Sequence, residues 1–292
     1  MRIIDAHNHP DWQNHDLDKY LANMAQYNIE KTWLLTWETP STEYDPHYNY
    51  VAMRGENGYP IPFSRCLAYK QAAPEKFVLC YAPDPRLPES IDQLEASIEI
   101  HGVRVYGEMK LRMMYDDLDA LRLFRFCGAR KVPVLVHLDY AIDTGRKYPR
   151  PNWWFGGGME PFERAVRACP ETNFIGHSSG FWAHISGDDL AHIEQCPTGE
   201  VLPGGKVQQM FRDYSNLYAD LSAISAYTAL TRDLAFTKDF LIEYQDRILF
   251  GRDCFDNRMQ ELLNSLALPE EVLTKIYAGN ALRLVPDEAP VG

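Results

Sequence analysis

Eight short apolar runs recur along the chain, separated by stretches in which apolar positions return every three or four residues. The runs are Ile3–His7, "KTWLLTW" at 31–37, "KFVLCYA" at 76–82, "GVRVYGEMKL" at 102–111, "VPVLVHL" at 132–138, "NFIGHS" at 173–178, "NLYADLS" at 216–222 and "RILFGRD" at 247–253. Most are nearly continuous in apolar residues, which is the pattern of parallel strands covered on both faces. Between them, "SIDQLEASIEIHG" sets Ile91, Leu94 and Ile98 on one helical face, with a stop at Gly102. "DDLDALRLFRFCGARK" repeats the pattern with a stop at Gly128, and "MEPFERAVRACP" does so before Pro170. Strands that alternate with helices predict βα units and a parallel sheet. Eight of them predict an α/β fold of the (β/α)8 barrel type, as a single domain over residues 1–292. The alternative is an open doubly wound sheet, but no G-x-G-x-x-G follows the first strand.

Two connections are long, one after the second strand and one after the fifth. Residues 38–75 are rich in Tyr, Pro and polar residues and are expected to hold a helix near Asn57–Ala72 plus a sizeable loop. Residues 139–158, "DYAIDTGRKYPRPNWWFGGG", carry no helical period. Long loops in compact domains tend to carry function. No linker, repeat or low-complexity segment interrupts the pattern.

The length of 292 residues suits a barrel, which takes about 250. Composition narrows the classes further. Apolar residues make up 46% and charged residues 24%, ordinary for a globular protein, and no apolar run is long enough to cross a membrane. Asp5 and His7 interrupt any leader-like segment, so a cytoplasmic location is expected. The six cysteines, Cys66, Cys80, Cys127, Cys169, Cys196 and Cys254, are scattered with no C-x-x-C pair and read as reduced thiols, mostly buried. A net charge of −12 argues against nucleic acid or an anionic membrane as partner. A small-molecule substrate is expected, and a homodimer is plausible.

The chemistry gathers at the strand ends. The first strand ends in His7 and His9, the fourth carries Glu108, the fifth ends at His137, the sixth at His177 and the eighth at Asp253. In a barrel these C-terminal ends form one rim, where active sites are built. A single His or Asp in such a place is as well explained by core hydrogen bonding. Imidazoles and carboxylates at five strand ends together predict a metal site.

With "DAHNH" at 5–9, "VHL" around His137, "IGHSSG" around His177, "LFGRD" at 249–253 and "IYAGNALRLV" at 276–285, the chain resembles the amidohydrolase superfamily. Within it, the likeness is to the amidohydrolase-related group that includes aminocarboxymuconate semialdehyde decarboxylase. The resemblance runs from the first strand to the last helix. It implies a (β/α)8 barrel with a divalent metal, usually zinc, with manganese or iron as alternatives. It implies His7, His9, His137 and Asp253 as ligands, and His177 as a ligand of a second metal or a catalytic histidine. Three or four N/O ligands with an open position suit a catalytic zinc, whose bound water is acidified toward neutrality. Asp253 can then take a proton from that water, and His177 can polarise a carbonyl oxygen.

Glu108 and Lys110 share strand parity with Tyr106 and Arg104. "YGEMKL" resembles the form in which a glutamate bridges two metals, whereas the mononuclear group lacks that bridge. An ion pair with Lys110 or Arg104 is the structural alternative for Glu108. Asp5 shares parity with His7 and His9, either to orient an imidazole or as a barrel-floor carboxylate. Arg150, Trp153 and Trp154 in "RPNWWFGGG" are candidate substrate contacts, and the alternative is an aromatic subunit interface. Ser178, Ser179 and Trp182 follow His177 and are placed to touch substrate. Arg232 reads as a solvated surface arginine that could bind an anion. Cys254 is expected to point away from the pocket, and His15, His47, His101, His184 and His192 to be surface or loop histidines.

Two reactions fit. In the first, a metal-dependent hydrolase opens an amide, ester or lactone of a small metabolite. In the second, a lyase, a non-oxidative decarboxylase or a hydratase, uses the same metal platform. Two metals bridged by Glu108 favour hydrolysis. One metal with Arg150 or Arg232 gripping a carboxylate favours the lyase. A barrel that binds without turnover requires a broken ligand set, and this set is complete.

Overall fold

The computed structural model describes residues 1–43, 60–140 and 153–287. Arg150, His47 and the expected start of the helix at Asn57 lie outside them. Strand and helix alternate along the chain: β1 (Ile4–Asn8), α1 (Leu17–Gln26), β2 (Lys31–Leu34), α2 (Phe63–Ala72), β3 (Phe77–Leu79), α3 (Ser90–His101) and β4 (Tyr106–Met109). The second half continues with α4 (Leu118–Ala129), β5 (Val134–His137), α5 (Met159–Ala168), β6 (Phe174–His177), the short α6 (Ser179–Trp182), α7 (Lys206–Asp213) and β7 (Leu217–Asp220). It ends with α8 (Ala223–Thr231), α9 (Leu234–Glu243), β8 (Ile248–Leu249), α10 (Arg258–Ser265) and short helical turns up to Leu284.

Every ladder is parallel, in the orders β1-β2-β3 and β4-β5-β6-β7-β8. Backbone hydrogen bonds join the two sheets at both seams. The Tyr81 amide donates to the Val105 carbonyl at 3.0 Å, and the Ala6 amide donates to the Phe250 carbonyl at 2.9 Å. The architecture is the (β/α)8 barrel that eight buried runs require.

Side chains divide accordingly into two packed sets. Leu35, Trp33, Leu135, Ile175, Tyr218 and Leu249 meet in one cluster inside the barrel. Phe77, Tyr106, Phe124, Phe162, Phe174, Phe211 and Phe240 belong to the larger cluster between barrel and helices. Leu135, Ile175 and Tyr218 each lie two residues before His137, His177 and Asp220. Successive inward positions therefore change from apolar filling to polar chemistry within one step of the pleat.

Two strands break that simple parity. Between Asp5 and Asn8 the register of β1 on β2 shifts, and between Tyr106 and Met109 that of β4 on β5 shifts. An extra residue at such a bulge re-aims the following side chain. Thus Ile4 and Ala6 fill the interior, while His7, next in sequence, lies beside the other imidazoles. Val105 is interior and so is Glu108, whereas Tyr106 packs outward with its hydroxyl donating to the Pro83 carbonyl. The expected parity of Tyr106 with Glu108 therefore fails, and so does that of Asp5 with His7.

Local signals end most helices as expected. Asp16, Asp117 and Asp233 cap α1, α4 and α9 by accepting a backbone amide. Gly102 closes α3 with φ 72°. Gly128 is not a stop: α4 runs through it, and a Cβ there would meet the Thr172 hydroxyl at 2.6 Å. It is a close-packing glycine between α4 and the turn before β6.

Candidate metal centre

At the C-terminal rim, His7, His9, Glu108, His137, His177 and Asp253 converge from five strands or strand ends. The five outside Asp253 are buried, and the Asp253 side chain is 16% exposed. Glu108 sits at the middle with its two oxygens turned to different partners. Oε2 lies 3.4 Å from His9 Nε2 and 4.0 Å from His7 Nε2. Oε1 lies 2.5 Å from His137 Nδ1 and 3.7 Å from His177 Nε2. Asp253 repeats the division: Oδ1 is 3.6 Å from His9 Nε2 and 4.0 Å from His7 Nε2, while Oδ2 is 3.9 Å from His177 Nε2.

These separations suit a shared cation. Two donors each about 2.1 Å from a tetrahedral ion stand about 3.4 Å apart. The donor atoms of His7, His9 and Glu108 form one group of this kind, and those of Glu108, His137 and His177 form another. His7 Nε2 and Asp253 Oδ1 are buried and have no hydrogen-bond partner. Buried polar atoms left unsatisfied are rare and costly, and both of these point at the space an ion would fill. The residues present therefore fit a divalent metal.

Hydrogen bonds on the far ring nitrogens aim the imidazoles. His9 Nδ1 is 2.9 Å from the Leu35 carbonyl. His7 Nδ1 and His177 Nδ1 both reach Asp220, at 2.9 Å and 3.1 Å. His137 Nε2 is 2.8 Å from Asp139. Gly251 allows the close approach beneath this group, since a Cβ there would come within 3.1 Å of His7 Cβ. Asp253 follows in the left-handed region, φ 50°, with its amide on the His7 carbonyl at 2.8 Å.

Electrostatics follow from that crowding. Burial pushes the Glu108 carboxyl up, but the charges of His137 and Lys110 and the hydrogen bonds of His137 and His9 hold it well below the usual carboxylate range. Burial raises Asp220 too, and is outweighed by His177 and His7, so it also lies well below that range. His177 moves the other way: burial lowers its pKa, but Asp220, then Glu108 and Asp253, lift it to about 9. The metal-free centre thus holds a cationic imidazole among carboxylates, a charge that a bound cation would replace.

The cavity above the donors measures about 540 Å³. Trp153 lines it, fully packed, with Nε1 donating to Asp139 at 3.0 Å, and Ser178 lines it with its hydroxyl 3.4 Å from the same carboxylate. Trp154 is half-buried and does not line the cavity. Trp182 does not reach it either: it is fully buried, and its Nε1 donates to the Asp220 carbonyl at 3.0 Å. It follows His177 in sequence, but the helical turn of α6 carries it into the core behind β7. Asp5 orients no imidazole. It receives Arg252 Nε at 2.8 Å and the Arg252 amide at 2.9 Å, because it alternates with the interior Ile4 and Ala6 and the bulge re-aims only the residues after it. Arg232 is not a solvated arginine: its guanidinium is 1% exposed and pairs with Asp188. Cys254, expected to face away, lines the cavity. His184 is half-buried against Tyr140.

Sequence reasoning missed two carboxylates, Asp220 and Asp139. Both obeyed the rule that found the others. Asp220 ends "NLYAD" at the rim of β7, and Asp139 shares parity with His137 in "VHLDY". Trp37 was missed too. It lies beneath the Lys110 ammonium, 3.9 Å from ring centre to Nζ, with Trp153 at 5.1 Å and Phe155 at 5.4 Å.

The chain matches the family model described as Amidohydrolase over residues 4–286, and it belongs to that family of enzymes. No curated protein matches it. Among solved structures it is similar to an uncharacterised TIM-barrel protein from Bordetella bronchiseptica, with 19% identity, 97% of this chain and 98% of that one covered, and a TM-score of 0.64. It is also similar to a dihydroxybenzoic acid decarboxylase from Polaromonas sp. JS666 with bound manganese and 2-nitroresorcinol, at 16% identity, 97% and 96% coverage, and a TM-score of 0.58. A third, from Pseudomonas putida and provisionally described as a 2-pyrone-4,6-dicarboxylic acid hydrolase, shares 14% identity over 97% of each chain with a TM-score of 0.58. At such identities the likeness carries the fold. Among the described residues, no helix is long and apolar enough to cross a membrane.

Proposed function

We propose that the protein is a metal-dependent hydrolase that opens an amide, ester or lactone bond of a small metabolite. The observation that carries this reading is the division of the Glu108 carboxylate, one oxygen toward His9 and the other toward His137. Such an arrangement favours two ions, held by His7, His9 and Asp253 on one side and by His137 and His177 on the other. Zinc suits imidazole and carboxylate donors, with manganese or iron as alternatives. Divalent ions there would supply positive charge for a polarised carbonyl oxygen and acidify a water toward neutrality.

The chain's own groups do the rest. Asp253 is the one donor with appreciable exposure, and its Oδ1 has no hydrogen-bond partner, so it is placed to take the proton of the attacking water and pass it to the leaving group. Trp153 and Ser178 wall the cavity and limit how substrate lies against the donors. The test is metal content per chain by mass spectrometry for wild type and Glu108→Gln. Two ions falling to one supports the bridged site and hydrolysis. One ion in both removes Glu108 as a bridge, and none in either after loading with zinc and manganese removes the metal reading.

A second reading, a metal-dependent decarboxylase, is favoured by one observation. Lys110 is buried at the cavity wall among Trp37, Trp153 and Phe155, a place suited to the carboxylate of an aromatic acid. The manganese-bound dihydroxybenzoic acid decarboxylase gives the substrate to try first. Release of carbon dioxide from a dihydroxybenzoic acid, lost in Lys110→Met, supports this reading over hydrolysis.

A further inference from the structure

We infer that Asp220 is the positioning residue that fixes which nitrogen of His7 faces the metal, and that it does so for His7 more strictly than for His177. This rests on the metal reading above, and the tests below separate the two.

Asp220 is fully buried at the end of β7, and its two oxygens have unequal surroundings. Oδ1 accepts from the Ser222 amide at 3.0 Å and the Ser222 hydroxyl at 2.5 Å, and faces His177 Nδ1 at 3.1 Å. Oδ2 faces His7 Nδ1 at 2.9 Å. A carboxylate only accepts, so each imidazole that meets it carries a proton on Nδ1, and in a neutral ring that leaves Nε2 as a bare lone pair. His7 Nε2 is buried and has no hydrogen-bond partner, as expected of a nitrogen without a proton to donate. One carboxylate thus sets the ring state of imidazoles from β1 and from β6.

The asymmetry makes the role testable. In Asp220→Asn the amide has two ways to sit. Its NH2 cannot take the place of Oδ1, because the Ser222 backbone amide is already a donor aimed there. The amide oxygen must stay at that position, and the NH2 must face His7 Nδ1. His7 then has to accept at Nδ1 and carry its proton on Nε2, the nitrogen that faces Glu108 and Asp253. His177 keeps the amide oxygen and also has the Ser222 hydroxyl at 2.8 Å as an alternative partner. The substitution changes one atom, leaves the size of the side chain unchanged and removes His7 alone from the donor set.

The first experiment titrates zinc into metal-stripped wild type, Asp220→Asn and His7→Ala, in competition with a chromophoric chelator, with the fold followed by far-ultraviolet circular dichroism. The expected result is that Asp220→Asn weakens one ion about 10- to 100-fold and leaves the other within about threefold. Its profile should match His7→Ala. Equal binding by wild type and Asp220→Asn overturns the inference. So does an equal loss of both ions in a folded variant. The second experiment is independent of the variant's folding and of any metal. Nitrogen-15 spectra of the imidazoles in metal-free wild type at pH 8, with His7 assigned by its absence in His7→Gln, should show the proton on Nδ1. A proton on Nε2 overturns the inference whatever the protein binds. Wild type that takes up no zinc but shows His7 protonated on Nδ1 refutes the metal reading and leaves the role of Asp220 standing.

Discussion

The two pairs of imidazoles flanking Glu108 are prepared in different ways. On the β1 side, His7 and His9 are tied from behind by Asp220 and the Leu35 carbonyl, and their Nε2 atoms stand 4.0 Å and 3.4 Å from Glu108 with space between. On the other side, His137 lies between two carboxylates. Its Nδ1 is 2.5 Å from Glu108 and its Nε2 is 2.8 Å from Asp139. A cation entering the β1 side displaces only the long His9–Glu108 contact, at 3.4 Å. To enter the other, it must displace the His137 contact with Glu108, a charge-assisted bond of the stronger kind. The same donor types therefore make one open position and one latched position, and the two ions should bind with unequal affinity.

The largest effect expected comes from the open side. His9→Ala should weaken the tighter ion by about 100-fold or more, roughly 3 kcal/mol, since a ligand is lost and Asp253 and Glu108 are left facing a gap. Zinc affinity measured against a chelator checks it. If His137→Ala weakens the tighter ion as much as His9→Ala does, the two positions are not distinct and the comparison breaks.

A smaller change should fall on the latched side alone. Asp139 holds His137 Nε2 and is itself held by Trp153, Ser178 and Ser179. Its carboxyl is raised by burial but brought below its ordinary range by the His137 hydrogen bond and charge, so it faces the ring as an anion. Asp139→Asn should weaken the second ion about 10- to 100-fold and leave the first unchanged. Stepwise metal content during dialysis against increasing chelator reads both. Loss of the first ion would show that Asp139 supports the whole rim.

Most of this centre was legible in the chain because two simple periodicities carry it. Runs buried on both faces read as strands, and an imidazole or carboxylate at the end of a run falls on the rim. Parity failed at β1 and β4, where a bulge inserts a residue and the alternation of apolar and polar positions carries no mark of it. That is why Asp5 was grouped with His7, and Tyr106 with Glu108. Trp182 was misplaced for a related reason, since adjacency to His177 says nothing once a helical turn intervenes. Arg232 was misread because its partner, Asp188, is 44 residues away and no local pattern joins them. Asp220 and Asp139 were readable by the rim rule itself and passed unremarked inside apolar runs.

The smallest effect separates imidazoles inside the centre from one outside it. His177 is buried and His184 half-buried, yet they move in opposite directions. Carboxylates lift His177, whereas burial, with the nearby charge of His192 adding to it, lowers His184 to about 4. No acid bonds to His184 in the described structure: its Nε2 is 3.0 Å from the Tyr140 hydroxyl, which itself donates to the Ala191 carbonyl at 2.7 Å. The unfolded chain takes up a proton near pH 6.5, and the folded chain resists it until about 4. The unfolded state therefore binds more protons in that window, and stability falls as pH drops from 6.5 toward 4. Above 6.5 both states are neutral and the stabilising contribution is fully present. With allowance for partial exposure, the loss between pH 7 and pH 5 is about 1 kcal/mol. Urea unfolding of metal-free wild type and His184→Gln at the two pH values measures the difference, because the other titrations are common to both. The wild type should lose more stability than His184→Gln on acidification. Equal losses would mean that His184 titrates normally, and that the contrast between imidazoles inside and outside the centre does not rest on burial.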